Sequence, residues 1–244
     1  MMAITSLSPA QSLAPSRINN IVLVHGAFND GSSWAEVIGR LQNKGYRVSA
    51  VQNPLTSLAD DVAATRRVVE RQDGDVLLVG HSWAGVVVTE AGNAPKVKAL
   101  AYLSAIVPDS GESAADFLTR RNAPMDGLRP DANGLLWLDG PEQYRAVMAH
   151  DVPLEKVRIL AATQQPIAAS AFAQKVGTAA WRTRPSWYLM TEDDHALPPA
   201  VQRWTIKHIG ANSISLRSSH MSIISSPQEV ADFIDRAARG SAVQ

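Results

Sequence analysis

The chain has 244 residues, 45% of them hydrophobic and 19% charged, and its 23 basic and 23 acidic side chains give a formal net charge of +0. That length suits one well-packed domain, and balanced charge with no acidic or basic block gives neither nucleic acid nor an anionic membrane a surface to hold. The absence of cysteine removes disulfides, thiolate metal sites and a cysteine nucleophile together, and no apolar run approaches the roughly 18 residues that a membrane span needs.

Residues 1–18 are rich in Ser, Pro and Ala and predict a loose arm before the first strand. They lack the basic start and apolar core of a signal peptide, so a cytoplasmic protein is expected. Residues 21–25 (IVLVH) are a continuous apolar run, the pattern of a strand buried on both faces of a parallel sheet. Residues 33–43 set Trp34, Val37, Ile38 and Leu41 at helical spacing, with Gly45 placed as a stop. A second strand follows over 46–51. Ser57 can cap a helix over 58–71 whose first turn carries Asp60 and Asp61, where the dipole favours negative charge. A third strand over 76–79 runs into GHSWAG with a helix (VVVTEAG) behind it, and 97–103 make a fourth strand. This alternation implies right-handed crossovers and a mostly parallel sheet flanked by helices.

The rhythm breaks between Pro108 and Pro185. Helical pieces over 114–121, 142–149 and 154–162 are separated by the turn signals APMDG, RPDANG and LDGP. The stretch is too long for a connection and predicts a mainly helical cap over 109–184, inserted into a core made of 19–108 and 185–244. Alternation returns with a strand over 186–191 (SWYLMT), a proline-opened helix over 198–208, a strand over 213–216 and a last helix over 227–239. The central sheet is therefore expected to have about six strands.

GHSWAG reads as G-x-S-x-G with Ala84 in the fifth place and Gly85 after it. Such a strand-to-helix turn needs small residues because the two elements cross closely, and it pushes the serine into a sparsely populated backbone region. Ser82 is thus a candidate nucleophile. A nucleophile needs a base, and the base a group that orients it. In an open α/β sheet these come from loops at the carboxyl ends of strands. Ser82 follows the third strand, TEDDH follows SWYLMT, and His220 in RSSHMS follows the strand at 213–216. Among the six histidines, His25 and His81 flank glycines in tight turns and suit packing or hydrogen-bonding roles. His150 falls in the cap, His208 ends a helix, and His195 adjoins the acidic pair. His220 is the best-placed base. Glu192, Asp193 and Asp194 all remain open as the acid. Oxyanion donors would be the N–H of Trp83 and one from HGAF, where Gly26 lets backbone approach closely: Ala27, with Phe28 as the alternative.

Together VLVHGAF, GHSWAG, AYLSAIVPDSGES, TEDDHALPP and SSHMSIISSP resemble the α/β-hydrolase superfamily over most of the chain. More narrowly, they are similar to the branch that holds plant methyl-ester esterases and hydroxynitrile lyases. The resemblance implies the α/β-hydrolase fold, with Ser82 as nucleophile, His220 as base, Asp194 as acid and Ala27 and Trp83 as oxyanion donors. Asp194 is preferred to Asp193 because it holds the matching offset before Leu197, Pro198 and Pro199. Lyases of this branch carry a threonine where this chain has Gly26, and a lysine where it has Met221. The expected activity is therefore hydrolysis of small, largely apolar carboxylic esters through an acyl-enzyme, with no cofactor or metal. A cofactor-free carbon–carbon lyase and a receptor-like ligand-binding protein are the alternatives. Phe28, Trp83 and Met221, beside Gly26, are expected to line the substrate pocket. Trp137, Phe117, Leu118 and Trp181 are further apolar candidates, and the segment 163–166 could supply a polar group.

Overall fold

The computed structural model describes residues 17–124 and 127–240. The arm expected over 1–18 lies outside the described residues except for Arg17 and Ile18. Those two are already tied to the fold, the Ile18 N–H donating to Ala238 O at 2.9 Å and the Arg17 guanidinium lying 3.7 Å from the centre of the Tyr46 ring. The expected APMDG turn also falls partly outside them, at residues 125 and 126.

Six strands form a fully parallel sheet: β1 (Asn20–Val24), β2 (Arg47–Val51), β3 (Val76–His81), β4 (Val97–Leu103), β7 (Ser186–Thr191) and β8 (Asn212–Leu216), in the order β2-β1-β3-β4-β7-β8. β1, β3 and β7 are buried at every position, as their unbroken apolar runs require, whereas the edge strand β2 is only partly covered. The chain leaves β1 toward one edge and returns to start β3 on its other side. This switch point opens a crevice at the carboxyl ends of β1 and β3, where the HGAF and GHSWAG turns lie.

Helices α1 (Ala35–Asn43), α2 (Leu58–Glu70), α3 (Ala84–Ala91), α7 (Pro199–Ile209) and α9 (Pro227–Ala238) flank the sheet. α1 is preceded by a 3-10 turn over Gly31–Trp34, and α2 has the expected Ser57 cap on Asp60 N. Between β4 and β7 lie α4 (Ala114–Thr119), α5 (Gly140–Met148) and α6 (Leu154–Thr163), with an antiparallel two-stranded ribbon of β5 (Leu135–Leu136) and β6 (Ile167–Ala168). The ribbon was not expected; two-residue strands leave no periodic trace in a sequence. Nor was α8 (Ser222–Ser225), a single turn directly after His220. The end of the insert packs on the core: Gly177 N–H donates to Glu90 Oε2 at 2.7 Å and Asn93 Nδ2 to Thr178 O at 2.7 Å. No helix among the described residues is long and apolar enough to cross a membrane.

The turn from β3 into α3 explains the imperfect motif. Ser82 has φ 57°, a left-handed conformation that costs a non-glycine residue about 1–3 kcal/mol. It is held because Ser82 N–H donates to Leu103 O at 3.0 Å, while Ser82 O accepts from Gly85 N–H at 2.9 Å and Ile106 N–H at 3.2 Å. A Cβ on Gly80 would sit 2.7 Å from Ala84 O, and one on Gly85 would run into the Ile106 carbonyl and lie 2.8 Å from Ala105 Cβ. The crowded helix position is therefore Gly85, while the fifth position is filled by the fully buried Ala84.

Gly85→Ala is expected to destabilise the fold by about 1–3 kcal/mol through overpacking against backbone. Gly39→Ala, in the middle of α1 with nothing within 4 Å of its added Cβ, is expected to stabilise by about 0.5–1 kcal/mol. Urea melts of the two variants check both; a Gly85→Ala protein as stable as the parent contradicts the crossing geometry.

Candidate active site

The three loops bring Asp194 and His220 together and set His220 and Ser82 in the lining of one cavity, with Asp194 behind it. Asp194 follows β7 and is buried; its Oδ1 accepts from the N–H groups of Ala196 at 2.8 Å and Leu197 at 2.7 Å. Its Oδ2 accepts from Thr191 Oγ1 at 2.7 Å, Gln202 Nε2 at 2.9 Å and His220 Nδ1 at 2.8 Å. Burial alone would raise this carboxyl, but the His220 charge and hydrogen bond, the Leu197 N–H and the Thr191 hydroxyl hold it below the ordinary value of 3.8. The neighbouring carboxylates point elsewhere. Asp193 is exposed and offers its carbonyl to His150 Nε2 at 2.7 Å, while Glu192 accepts from Ser215 Oγ at 2.7 Å.

With Nδ1 donating to Asp194, the His220 ring presents Nε2 as an acceptor. That nitrogen is buried and has no hydrogen-bond partner. The His220 carbonyl accepts from His81 Nε2 at 2.9 Å, and the two rings lie 4.8 Å apart. Burial, reinforced by His220, pulls His81 down to about 3, so it stays neutral and acts as a donor. His25, also lowered by burial, accepts the Asn53 N–H on Nε2 at 2.9 Å. Both histidines therefore fix loops, as their positions beside glycines predicted.

Gly26 sits under Ser82: a Cβ there would lie 2.7 Å from Ser82 Cβ and 2.9 Å from His81 O. Trp83 is the N-cap residue of α3, where backbone N–H groups have no intrahelical acceptor. Ala27 and Phe28 line the same cavity, and Phe28 has φ 59°. Two unforeseen side chains brace this loop. Asn29 Nδ2 donates to Ala27 O at 3.0 Å and to Met221 Sδ at 3.7 Å, and the Tyr144 hydroxyl of α5 donates to Asn29 Oδ1 at 3.0 Å. A third, Asp61, accepts from the Trp83 indole Nε1 at 2.8 Å.

The cavity encloses about 370 Å³, and its lining, Ser82, Trp83 and His220 included, holds no Lys, Arg, Asp or Glu among the described residues. Leu118 and Phe172 from the insert join Phe28 and Trp83 in an apolar wall. Met221 and Gly26, expected in the pocket, do not line it. Met221 is wholly buried with its sulfur on Asn29, and Gly26 lies behind Ser82. Trp137 is exposed, Phe117 packs on Trp204, and the Trp181 indole donates to Pro108 O at 3.0 Å. In the 163–166 segment, Gln165 is taken up by the carbonyls of Asn53 and Pro54. A wider groove of about 640 Å³ along α2 is lined by no serine, threonine or histidine among the described residues.

A model of the alpha/beta hydrolase family matches residues 21–233. The chain belongs to that family. It is 28% identical to the pyrethroid hydrolase of Sphingobium wenxiniae over 91% of this chain and 89% of that protein. It is 23% identical to methylesterase 1 of Arabidopsis thaliana over 89% of this chain and 95% of that protein. A solved structure of a pyrethroid hydrolase superposes with a TM-score of 0.78 at 25% identity, covering 90% of this chain and 97% of that one.

Two buried carboxylates of this hydrolase, Asp61 and Asp194, give opposite pH signatures. Burial raises Asp61 to about 6 against its hydrogen bonds from Trp83 and Leu55. The folded state therefore binds more protons than the unfolded chain between the ordinary value and about 6. Asp61's contribution to stability is fullest below that window and is lost as pH rises through it. Asp194 is depressed, so its contribution is present above its ordinary value and lost as pH falls below it. Asp61→Asn should flatten the drop in melting temperature between about pH 4 and 6, and Asp194→Asn the drop below about pH 4. Calorimetric melts across pH check the assignment; interchanged signatures contradict it.

Proposed function

We propose that this carboxylesterase-type hydrolase cleaves small, uncharged, largely apolar carboxylic esters through an acyl-enzyme formed on Ser82. The observation that carries the reading is His220: one ring nitrogen is engaged by buried Asp194 while the other is unpartnered in the cavity that Ser82 lines. His220 takes the Ser82 proton as Oγ attacks the ester carbonyl. The developing oxyanion is met by the N–H groups of Ala27 and Trp83, each worth roughly 2.7–4 kcal/mol when lost. His220 then gives its proton to the leaving alcohol, and next draws a proton from the water that releases the acid. Asp194 holds the imidazole in place and balances its transient charge.

The insert 109–184 acts here as a cap. It supplies Leu118, Met148 and Phe172 to the cavity, and Tyr144 ties it to the HGAF loop. A lining without formal charge favours neutral esters over those carrying a second carboxylate, since nothing there would offset the desolvation of an ion. The similarity to a pyrethroid hydrolase and a methylesterase supports ester substrates. Beside His220 this chain has the buried, uncharged Met221, and the described cavity lining holds no Lys or Arg to stabilise a departing cyanide, which favours hydrolysis over hydroxynitrile cleavage.

Ser82→Ala is expected to abolish turnover of p-nitrophenyl acetate; a Ser82→Ala enzyme that still turns over refutes the acyl-enzyme route. Asp194→Asn should lower kcat by roughly 10³–10⁴, and Asp193→Asn should leave it near the parent value. A larger loss in Asp193→Asn would move the acid to that residue.

A further inference from the structure

Trp83 has two parts with separate duties. Its backbone N–H, at the start of α3, is the proposed oxyanion donor, and its side chain, 1% exposed, walls the cavity with the Phe172 ring 4.9 Å away. A buried indole N–H needs an acceptor, and the one it has is Asp61 Oδ2 at 2.8 Å. Asp61 is 0% exposed, lies in the first turn of α2 and forms no ion pair among the described residues. Its other oxygen accepts the Leu55 N–H at 2.8 Å. Leu55 has φ 58°, an uncommon conformation for a leucine, and its carbonyl accepts the Ala168 N–H of β6 at 2.9 Å. Phe172 follows four residues after Ala168 in the same segment. One carboxylate therefore meets the two N–H groups that fix both halves of the wall, Trp83 directly and the Phe172 segment through Leu55.

The choice of a carboxylate follows from this demand. Two converging donors need two acceptors, and a carboxylate is the side chain that offers two without carrying a donor of its own. An asparagine would turn its NH₂ toward one of them. Asp61 bears the desolvation with no cation to relieve it.

We propose that Asp61 is a positioning residue that sets acyl-chain selectivity, holding the Trp83 indole back as the cavity wall so that an apolar chain fits beside Ser82. Released from Asp61, the ring has the cavity as the apolar space to turn into, and longer acyl chains are excluded before short ones. The proposal rests on the ester-hydrolase reading above.

The test compares p-nitrophenyl hexanoate with p-nitrophenyl acetate as a ratio of kcat/KM, which cancels steps common to both. Asp61→Leu, of similar size but with no acceptor, should lower this ratio by about tenfold or more, mainly through the hexanoate KM. In a Trp83→Phe background, which has no indole to hold, adding Asp61→Leu should change the ratio by less than about twofold. The parent enzyme gives a reading that needs no variant to fold. The other charge acting on Asp61 is exposed Asp60, and protonating Asp61 sets a hydrogen against one of its donors, so the ratio should fall as pH drops through about 6. An unchanged ratio in a folded Asp61→Leu, an equal fall in both backgrounds, or a parent ratio flat across that pH range overturns the proposal. Failure of the parent to hydrolyse either ester would instead remove the ester-hydrolase reading on which it rests.

Discussion

The left-handed backbone at Ser82 is the constraint on which the rest of the site depends. A serine at φ 57° is tolerated because β3 and α3 are locked across it by Gly80 and Gly85, and because Leu103 and Ile106 take up its backbone groups. The same crossing puts the next residue, Trp83, at the start of α3 with its N–H free of the helix ladder. Parallel pairing of β1 with β3 then brings Gly26 under Ser82, close enough that a methyl group would not fit. The proposed nucleophile, the proposed oxyanion donors and the floor beneath Ser82 are thus consequences of one turn and one strand pairing.

Charge around this turn is kept out of the cavity and behind its walls. Asp194 is ringed by neutral N–H and O–H donors, so its charge is directed to His220 Nδ1. His25 and His81 are held neutral by burial and hold loops instead of protons. Asp61 is buried behind Trp83 and does not line the cavity. In the proposed reaction, a transition state that develops charge on an oxygen and an imidazole therefore meets fixed dipoles in a largely apolar cavity without Lys, Arg, Asp or Glu in its described lining, where such dipoles act more strongly than in water. A substrate with a charge of its own finds no counterion in that lining.

Much of this was legible in the sequence because strand burial and loop position leave local marks. The runs IVLV, VLLV and SWYLMT belong to strands covered on both faces, and Ser82, Asp194 and His220 each come just after such a run or its neighbour. What stayed hidden depends on partners far apart in the chain. Asp61 reads as a helix-dipole residue until Trp83, 22 positions on, is seen to donate to it, and Asn29 meets Met221 across 192 positions. Met221 adjoins His220 in sequence, yet its side chain is buried in the core and does not line the cavity. The β5–β6 ribbon is two residues per strand, too short for any periodicity to mark it.

The direct measurement of Ser82 as nucleophile is covalent capture. An alkyl fluorophosphonate is expected to add one phosphonyl group per chain, found by peptide mass mapping on the fragment that carries Ser82, with no adduct on Ser82→Ala. Stoichiometric labelling of Ser82→Ala, or an adduct mapped to another residue of the parent protein, would contradict Ser82 as the nucleophile.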